Sequence, residues 1–307
     1  MSIIAVDIGS SFTKFGWTTR PSRGLEKFLT VPNTSPIDRP LLQRILHALP
    51  GSHSKKSADT RNFWGISSVN PPRLKELRQA IADLGEDSIC EIDYQQVPLL
   101  TEVEFPQQLG RDRLIAAWRA TKLSSHRPLV IIDAGTAVTI DFVDLRGIHL
   151  GGLILPGMHV MLNSLGRQTH SLPDLTAEIT GKPADQKDSP TEADTPVTTP
   201  TEIEKTPVQS GSGRVTTDLS EGLPLQPPLY GVNTFQAISC GVLQCQVAVL
   251  LSCTRQAREK WGVDPEVFLT GGGSGALRNY LPGDWQFHPD LVLSGIYEIA
   301  KSERAND

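Results

Sequence analysis

The chain has 307 residues, more than one hydrophobic core usually holds, so about two domains are expected. An apolar share of 38% and a charged share of 21% describe a soluble globular chain, and no apolar run looks long enough to cross a bilayer. A net charge of −5 argues against an extended basic face for nucleic acid, which leaves a small-molecule partner as the better fit.

The opening MSIIAVDIGSS has no basic segment and carries an aspartate where an export signal would still be apolar, so the cytoplasm is the expected compartment. Apolar stretches then predict strands at SIIAVDI, TKFGWTT, EKFLTV and FWGISSV, with a helix at RPLLQRILHAL before the last of them. A second helix follows at NPPRLKELRQAIADLG, where two prolines stand near its start and Leu74, Leu77, Ile81 and Leu84 share one face. The order is β-β-β-α-β-α. After a helix at RDRLIAAWRATKL the pattern restarts with LVIIDAGTAVTIDFVD. Both openings end an apolar strand in an acid and a glycine and then return as a second strand, which reads as an internal repeat.

From about 174 to 229 the composition turns to Pro, Thr, Ser, Glu and Lys, and this segment is expected to be a largely disordered, solvated insertion with no chemistry of its own. NTFQAISCGVLQCQVAVLLSCTRQAREKWG is a long apolar helix whose excess of apolar surface suggests burial on more than one side, which a subunit interface could provide. EVFLTGGGSGAL is a strand entering a glycine turn, and PDLVLSGIYEIAKSE a closing helix. Cys90, Cys240, Cys245 and Cys253 form no Cys-x-x-Cys pair and are expected to be reduced, buried and inert. The histidines have no metal-ligand spacing, so no transition metal is implied.

Three stretches could carry chemistry. A strand that ends in Asp7-Ile8-Gly9 and turns through Ser10, Ser11, Phe12 and Thr13 lets backbone amides approach phosphate oxygens, while Asp7 holds a metal or a water and Lys14 places an ammonium at the phosphate chain. An ordinary hairpin turn is the alternative for one copy. The second copy, Asp133-Ala134-Gly135-Thr136, favours a nucleotide site with two facing walls. In QQLGRDRLIAAW, Gly110 breaks the chain and Asp112 stands at the start of a helix, either as its N-cap or as a general base toward a hydroxyl attacking a γ-phosphate. Arg113 beside it suits a bidentate clamp on a substrate carboxylate. The run 271–275 in TGGGSG either borders the adenosine end of such a cleft or is a common turn.

The ordered set of Asp7-x-Gly9 with its hydroxyl turn and Lys14, LGRDRL, DAGTAVTIDF, GGLILPG and GVNTFQA resembles the type III pantothenate kinases of the acetate and sugar kinase/Hsp70/actin superfamily. That resemblance covers nearly the whole chain outside the insertion. It implies an α/β fold of two RNase H-like (actin-like ATPase) domains, 1–124 and 125–307, with mixed sheets flanked by helices and a nucleotide cleft between them. It implies transfer of the ATP γ-phosphate to pantothenate, the first step of coenzyme A synthesis, with Mg2+, a monovalent cation (K+ or NH4+) and a homodimer. Asp7, Ile8, Gly9, Ser10, Ser11, Phe12, Thr13 and Lys14 would hold ATP phosphates, with Thr136 opposite. Asp112 would be the proton acceptor, Gly110, Arg111, Asp112 and Arg113 the pantothenate loop, Asp133 the potassium ligand, and Thr234 a substrate contact near the dimer interface.

The sequence departs from the family pattern in three places. Ser10-Ser11 stands where Asn-Thr is usual, which removes an amide that could orient the turn, so nucleotide affinity is expected to be altered but kept. Val103 stands where an aromatic residue usually precedes Pro106 by three, and the link between Leu172-Pro173 and GVNT is longer than usual. Two rival readings use the same scaffold: a non-catalytic regulator with a protein partner, and a kinase for another small hydroxyl compound.

Overall fold

The computed structural model describes residues 2–18, 24–49, 62–85, 88–169, 172 and 227–306. Of the expected insertion only residues 227–229 are therefore described. Strands β1 (Ile3–Ile8), β2 (Phe12–Trp17), β3 (Lys27–Pro32), β4 (Phe63–Ser68) and β5 (Ser88–Glu91) form one sheet in the order β3-β2-β1-β4-β5. Within it β1 runs antiparallel to β2 and parallel to β4. Strands β6 (Leu129–Ala134), β7 (Ala137–Val143), β8 (His149–Pro156), β9 (Glu266–Thr270) and β10 (Gln286–Phe287) form the other, in the order β8-β7-β6-β9-β10. Here β6 runs antiparallel to β7 and parallel to β9, so both order and sense repeat. The likeness of two short turns extends to two whole mixed sheets.

Helices α1 (Arg39–His47) and α2 (Pro71–Ala82) cover one face of the first sheet, packing Leu42, Ile45, Leu77 and Ile81 onto Ile4, Val6, Ile8 and Trp64. Each starts where the sequence supplies a cap: the Asp38 side chain accepts from the Leu41 amide, and Asn70 accepts from the Arg73 amide ahead of two prolines. On the second sheet α4 (Met158–Gln168), α5 (Thr234–Trp261) and α6 (Ser274–Arg278) take the matching place.

The remaining helices, α3 (Arg111–Leu123) and α7 (Leu291–Asn306), join the two sheets in one core with Ile3, Ala5, Phe63, Ile131 and Phe268. α7, from the end of the chain, lies on β1 and β4 of the first sheet, whereas α3 lies on β6 and β7 of the second. The two halves thus exchange a helix. Gly65 of β4 permits the approach, since a Cβ there would stand 2.5 Å from Cβ of Ala300. Ile115 and Ile296 are fully buried in this layer, each worth roughly 2–3 kcal/mol of hydrophobic stabilisation.

Two expectations need correction. α5 is long and apolar enough, by length and composition, to cross a membrane, contrary to the sequence reading, and Val242, Val247, Leu250, Cys253 and Ala257 form a buried stripe along it. All four cysteines are free, but only Cys253 is buried; Cys90 and Cys240 are half-buried and Cys245 is exposed.

Candidate active site

The first turn is set by strand register. β1 and β2 pair Asp7 with Lys14 and Ile8 with Thr13, and directly opposed residues project to the same face of a sheet. Lys14 Nζ lies 3.9 Å from Asp7 Oδ2. The alternate residue Ile8 is fully buried in the core beneath, so only its backbone can serve a ligand. The Gly9 amide donates to Phe12 O at 3.0 Å and closes the bend, leaving Ser10 and Phe12 exposed at its tip.

Asn33, just past β3, braces this turn. Its Nδ2 donates to Gly9 O at 2.8 Å and to Ser10 O at 3.1 Å, its Oδ1 accepts from Thr13 Oγ1 at 2.8 Å, and its backbone amide donates to Ser11 O at 2.8 Å. Buried Arg73 of α2 adds a bond from Nε to Thr13 Oγ1 at 3.2 Å. An amide from elsewhere in the chain thus orients the turn that lacks the usual asparagine.

The second turn is tighter. Asp133 pairs with Thr139 and Ala134 with Val138, and the Gly135 amide donates to Ala137 O at 2.9 Å. The glycine run after β9 packs against it, with the Gly273 amide donating to Ala134 O at 2.7 Å. Gly271 has φ +93°, and a Cβ there would stand 2.3 Å from Asp133 Oδ1. Only glycine fits both that backbone and that space. The run is thereby a close wall to Asp133. Thr136 Oγ1 reaches across to Ser11 Oγ at 2.9 Å, joining the two turns directly.

Asp112 comes from the first turn of α3. Gly110 is the N-cap and brings no side-chain bond, so Asp112 is not the N-cap itself; its Oδ1 accepts the Arg113 amide at 2.9 Å, an amide that also donates to Gly110 O at 3.1 Å.

The three acids feel one another. Burial pushes Asp7 up to about 7; Lys14 opposes the rise, and Asp112 and Asp133 add to it. Burial likewise pushes Asp133 up to about 6, again opposed by Lys14 and reinforced by Asp112 and Asp141. Asp112 is raised chiefly by burial and then by Asp141, against the Arg113 amide and guanidinium. Three carboxylates from three elements therefore share one poorly hydrated space with one lysine. Among the described residues no three His, Cys, Asp or Glu side chains lie close enough to hold a metal ion by themselves.

Other expected site residues fall differently. Arg113 does not present its side-on fork to a ligand, because Nε and Nη2 donate to Asp141 Oδ2 and Oδ1 at 3.0 and 2.7 Å. Arg111 Nη1 donates to Ser68 O at 2.8 Å, which ties the loop to the end of β4. Thr234 is exposed at the first position of α5, and no hydrogen bond joins it to the carboxylates among the described residues. Val103 lies against Gly151 of β8, while the aromatic of this loop is Phe105, 49% exposed. Sequence reasoning missed Asn33, Arg73, Asp141 and His149. Asp141 carried a signal, an acid inside an otherwise apolar strand; the others carried none that spacing could reveal.

A family model described as type III pantothenate kinase matches residues 3–197. Curated relatives of that name include one from Cupriavidus pinatubonensis, 30% identical over 97% of this chain and 98% of its own, and one from Albidiferax ferrireducens, 30% identical over 98% of each. Among solved structures, a Campylobacter jejuni chain assigned to the Baf family of transcriptional activators aligns over 99% of this chain and 100% of its own, with a TM-score of 0.50 and 19% identity, a likeness of fold. With the matched region spanning both acid-tipped turns and the loop between them, this chain belongs to the type III pantothenate kinase family.

Proposed function

We propose that this chain is an ATP-dependent kinase that transfers the γ-phosphate of ATP to the primary hydroxyl of pantothenate, giving 4'-phosphopantothenate in the first step of coenzyme A biosynthesis. The observation that carries the reading is the convergence of Asp7, Asp112 and Asp133 beside Lys14: Asp112 raises the pKa of both other acids, and Asp133 raises that of Asp7. Phosphoryl transfer needs little covalent chemistry from a protein; it needs charge balance and positioning.

In this reading Asp112 accepts the proton of the attacking hydroxyl, and its raised pKa makes it a stronger base than an ordinary carboxylate. The tip of the bend, Ser10 and Ser11, offers backbone amides and hydroxyls to the phosphates, Lys14 offers an ammonium, and Thr136 faces it from the other turn; the fully buried Thr13 hydroxyl is engaged by Asn33 and Arg73 and supports the bend from beneath. Loop residues Gly110 and Arg111 line the acceptor side.

Three acids against one lysine suit cationic cofactors. Mg2+ is usually held by one or two carboxylates together with phosphate oxygens and water, so Asp7 would serve it; Asp133 would hold a monovalent cation, K+ or NH4+. Bound there, these ions would screen the phosphate charge. We also propose a homodimer, with Thr234 close to its interface. In support, Leu229, Tyr230 and Val232 stand exposed at 85%, 74% and 79% before α5, beside a cavity lined by Ala237, Cys240 and Gln244.

Mass spectrometry of a reaction with ATP and pantothenate tests the assignment. The expected product is 4'-phosphopantothenate; recovery of unmodified pantothenate refutes it.

A further inference from the structure

His149, the first residue of β8, has no solvent exposure at all. Its Nε2 lies 2.8 Å from Asp141 Oδ1 and its Nδ1 2.9 Å from Thr101 Oγ1. An ionised carboxylate can only accept, so Nε2 carries the hydrogen and donates; with the ring neutral, Nδ1 accepts from the Thr101 hydroxyl. Thr101 Oγ1 in turn accepts the Val103 amide at 3.3 Å. The donors therefore run in one direction, from Val103 through Thr101 and His149 to Asp141.

Asp141, 1% exposed, receives Arg113 on the other side, with Oδ1 shared between His149 Nε2 and Arg113 Nη2. Arg113 adjoins Asp112, whose carboxylate holds the Arg113 amide. The backbone reinforces the contact: the His149 amide donates to Leu100 O at 2.9 Å and the Glu102 amide to His149 O at 2.8 Å. A residue of β8 is thus connected to the start of α3 and to the strand-like segment that leads into the loop.

We infer that His149 is a positioning residue for phosphoryl transfer: it orients the Asp141 carboxylate, which fixes the Arg113 guanidinium and so sets the first turn of α3 that presents Asp112. Among the described residues the Arg113 side chain has no hydrogen-bond acceptor besides Asp141, which leaves Nη1 as the edge able to meet the acceptor. The inference rests on the pantothenate kinase reading and on Asp112 as its base. Without the ring donor, Asp141 keeps Arg113 but loses the bond that holds its carboxylate plane, and small displacements at a reacting centre are costly in rate.

The test is steady-state kinetics of His149→Phe, which keeps an aromatic ring but removes both nitrogens, and of His149→Gln, whose amide can still donate to Asp141. His149→Phe should lower kcat/KM for pantothenate by about 10- to 100-fold while KM for ATP stays within about twofold. His149→Gln should recover part of the loss. Should His149→Phe fail to fold, Thr101→Val removes the hydroxyl on Nδ1, and with it the acceptor of the Val103 amide, and should cost about 3- to 10-fold in the same parameter. The inference is overturned by an unchanged pantothenate parameter, by an equal loss for ATP, or by His149→Gln faring no better than His149→Phe. Absence of pantothenate turnover in the unaltered enzyme overturns the functional reading and this inference together.

Discussion

Thr136 Oγ1 donates to Ser11 Oγ at 2.9 Å, so the tips of two matching turns touch across the space where the carboxylates meet. A polyphosphate bound between the turns must replace that bond with bonds to its own oxygens. Removing either hydroxyl therefore subtracts a charge-assisted contact from the bound state, worth roughly 1.5–3 kcal/mol. Thr136→Ala should raise the Kd for ATP by about 10- to 100-fold, measured by isothermal titration calorimetry. An unchanged Kd would exclude Thr136 from the phosphate wall.

The brace on the first turn should be equally specific. Asn33→Ala leaves Gly9 O, Ser10 O and Thr13 Oγ1 each without a partner that Asn33 now supplies. A loss of roughly 1–3 kcal/mol in unfolding free energy is expected, together with a several-fold rise in KM for ATP. Urea denaturation and initial rates check both; full stability with normal KM would show that the turn holds itself.

Asp7 links the site to stability. Its pKa is raised on folding from 3.8 to about 7, so between these values the native chain binds the proton more tightly than the unfolded chain does. Stability without ligand must then fall as pH rises through that window. Asp7→Asn, which removes the titration, should stabilise the ligand-free protein at pH 7.5 by about 1–3 kcal/mol and flatten the dependence of Tm on pH between about 4 and 7. Turnover should be lost at the same time, as expected where a functional charge opposes folding. A parallel Tm profile in the variant would show that Asp7 does not titrate in this range.

Asp133 is assigned to the monovalent cation. Replacing potassium by sodium should lower turnover, and Asp133→Asn should erase the difference between the two salts. Equal rates in both salts for the unaltered enzyme remove that role.

The parts of the fold legible in sequence were those governed by local pattern. Apolar strands ending in Asp-x-Gly, the caps Asp38 and Asn70, and the long stripe of α5 announce themselves within a few residues. β8 and α4 escaped, since the glycines and mixed exposure of β8 break its alternation and α4 starts at Gly157 with no side-chain cap. The exchange of α3 and α7 between sheets could not be read locally, because what permits it is the missing side chain of Gly65 opposite Ala300. The site divides in the same way. Asp7, Asp112 and Asp133 sit in recognisable turns, whereas Asn33 acts on a bond partner 24 residues away and Arg73 on one 60 residues away. The Arg113 fork expected to face a substrate carboxylate instead holds a buried acid of the chain itself, Asp141, a pairing across 28 residues that local pattern does not announce.

The central claim is that Asp112 removes the proton of a pantothenate hydroxyl beside a triphosphate held by the two turns. Pantothenate-dependent ADP release, measured for the unaltered enzyme and for Asp112→Asn in the same potassium buffer, addresses it most directly. The account expects release only when pantothenate is present, and a drop of about 100- to 10,000-fold in kcat in the variant. Release that ignores pantothenate, or a variant as fast as the parent, would contradict it.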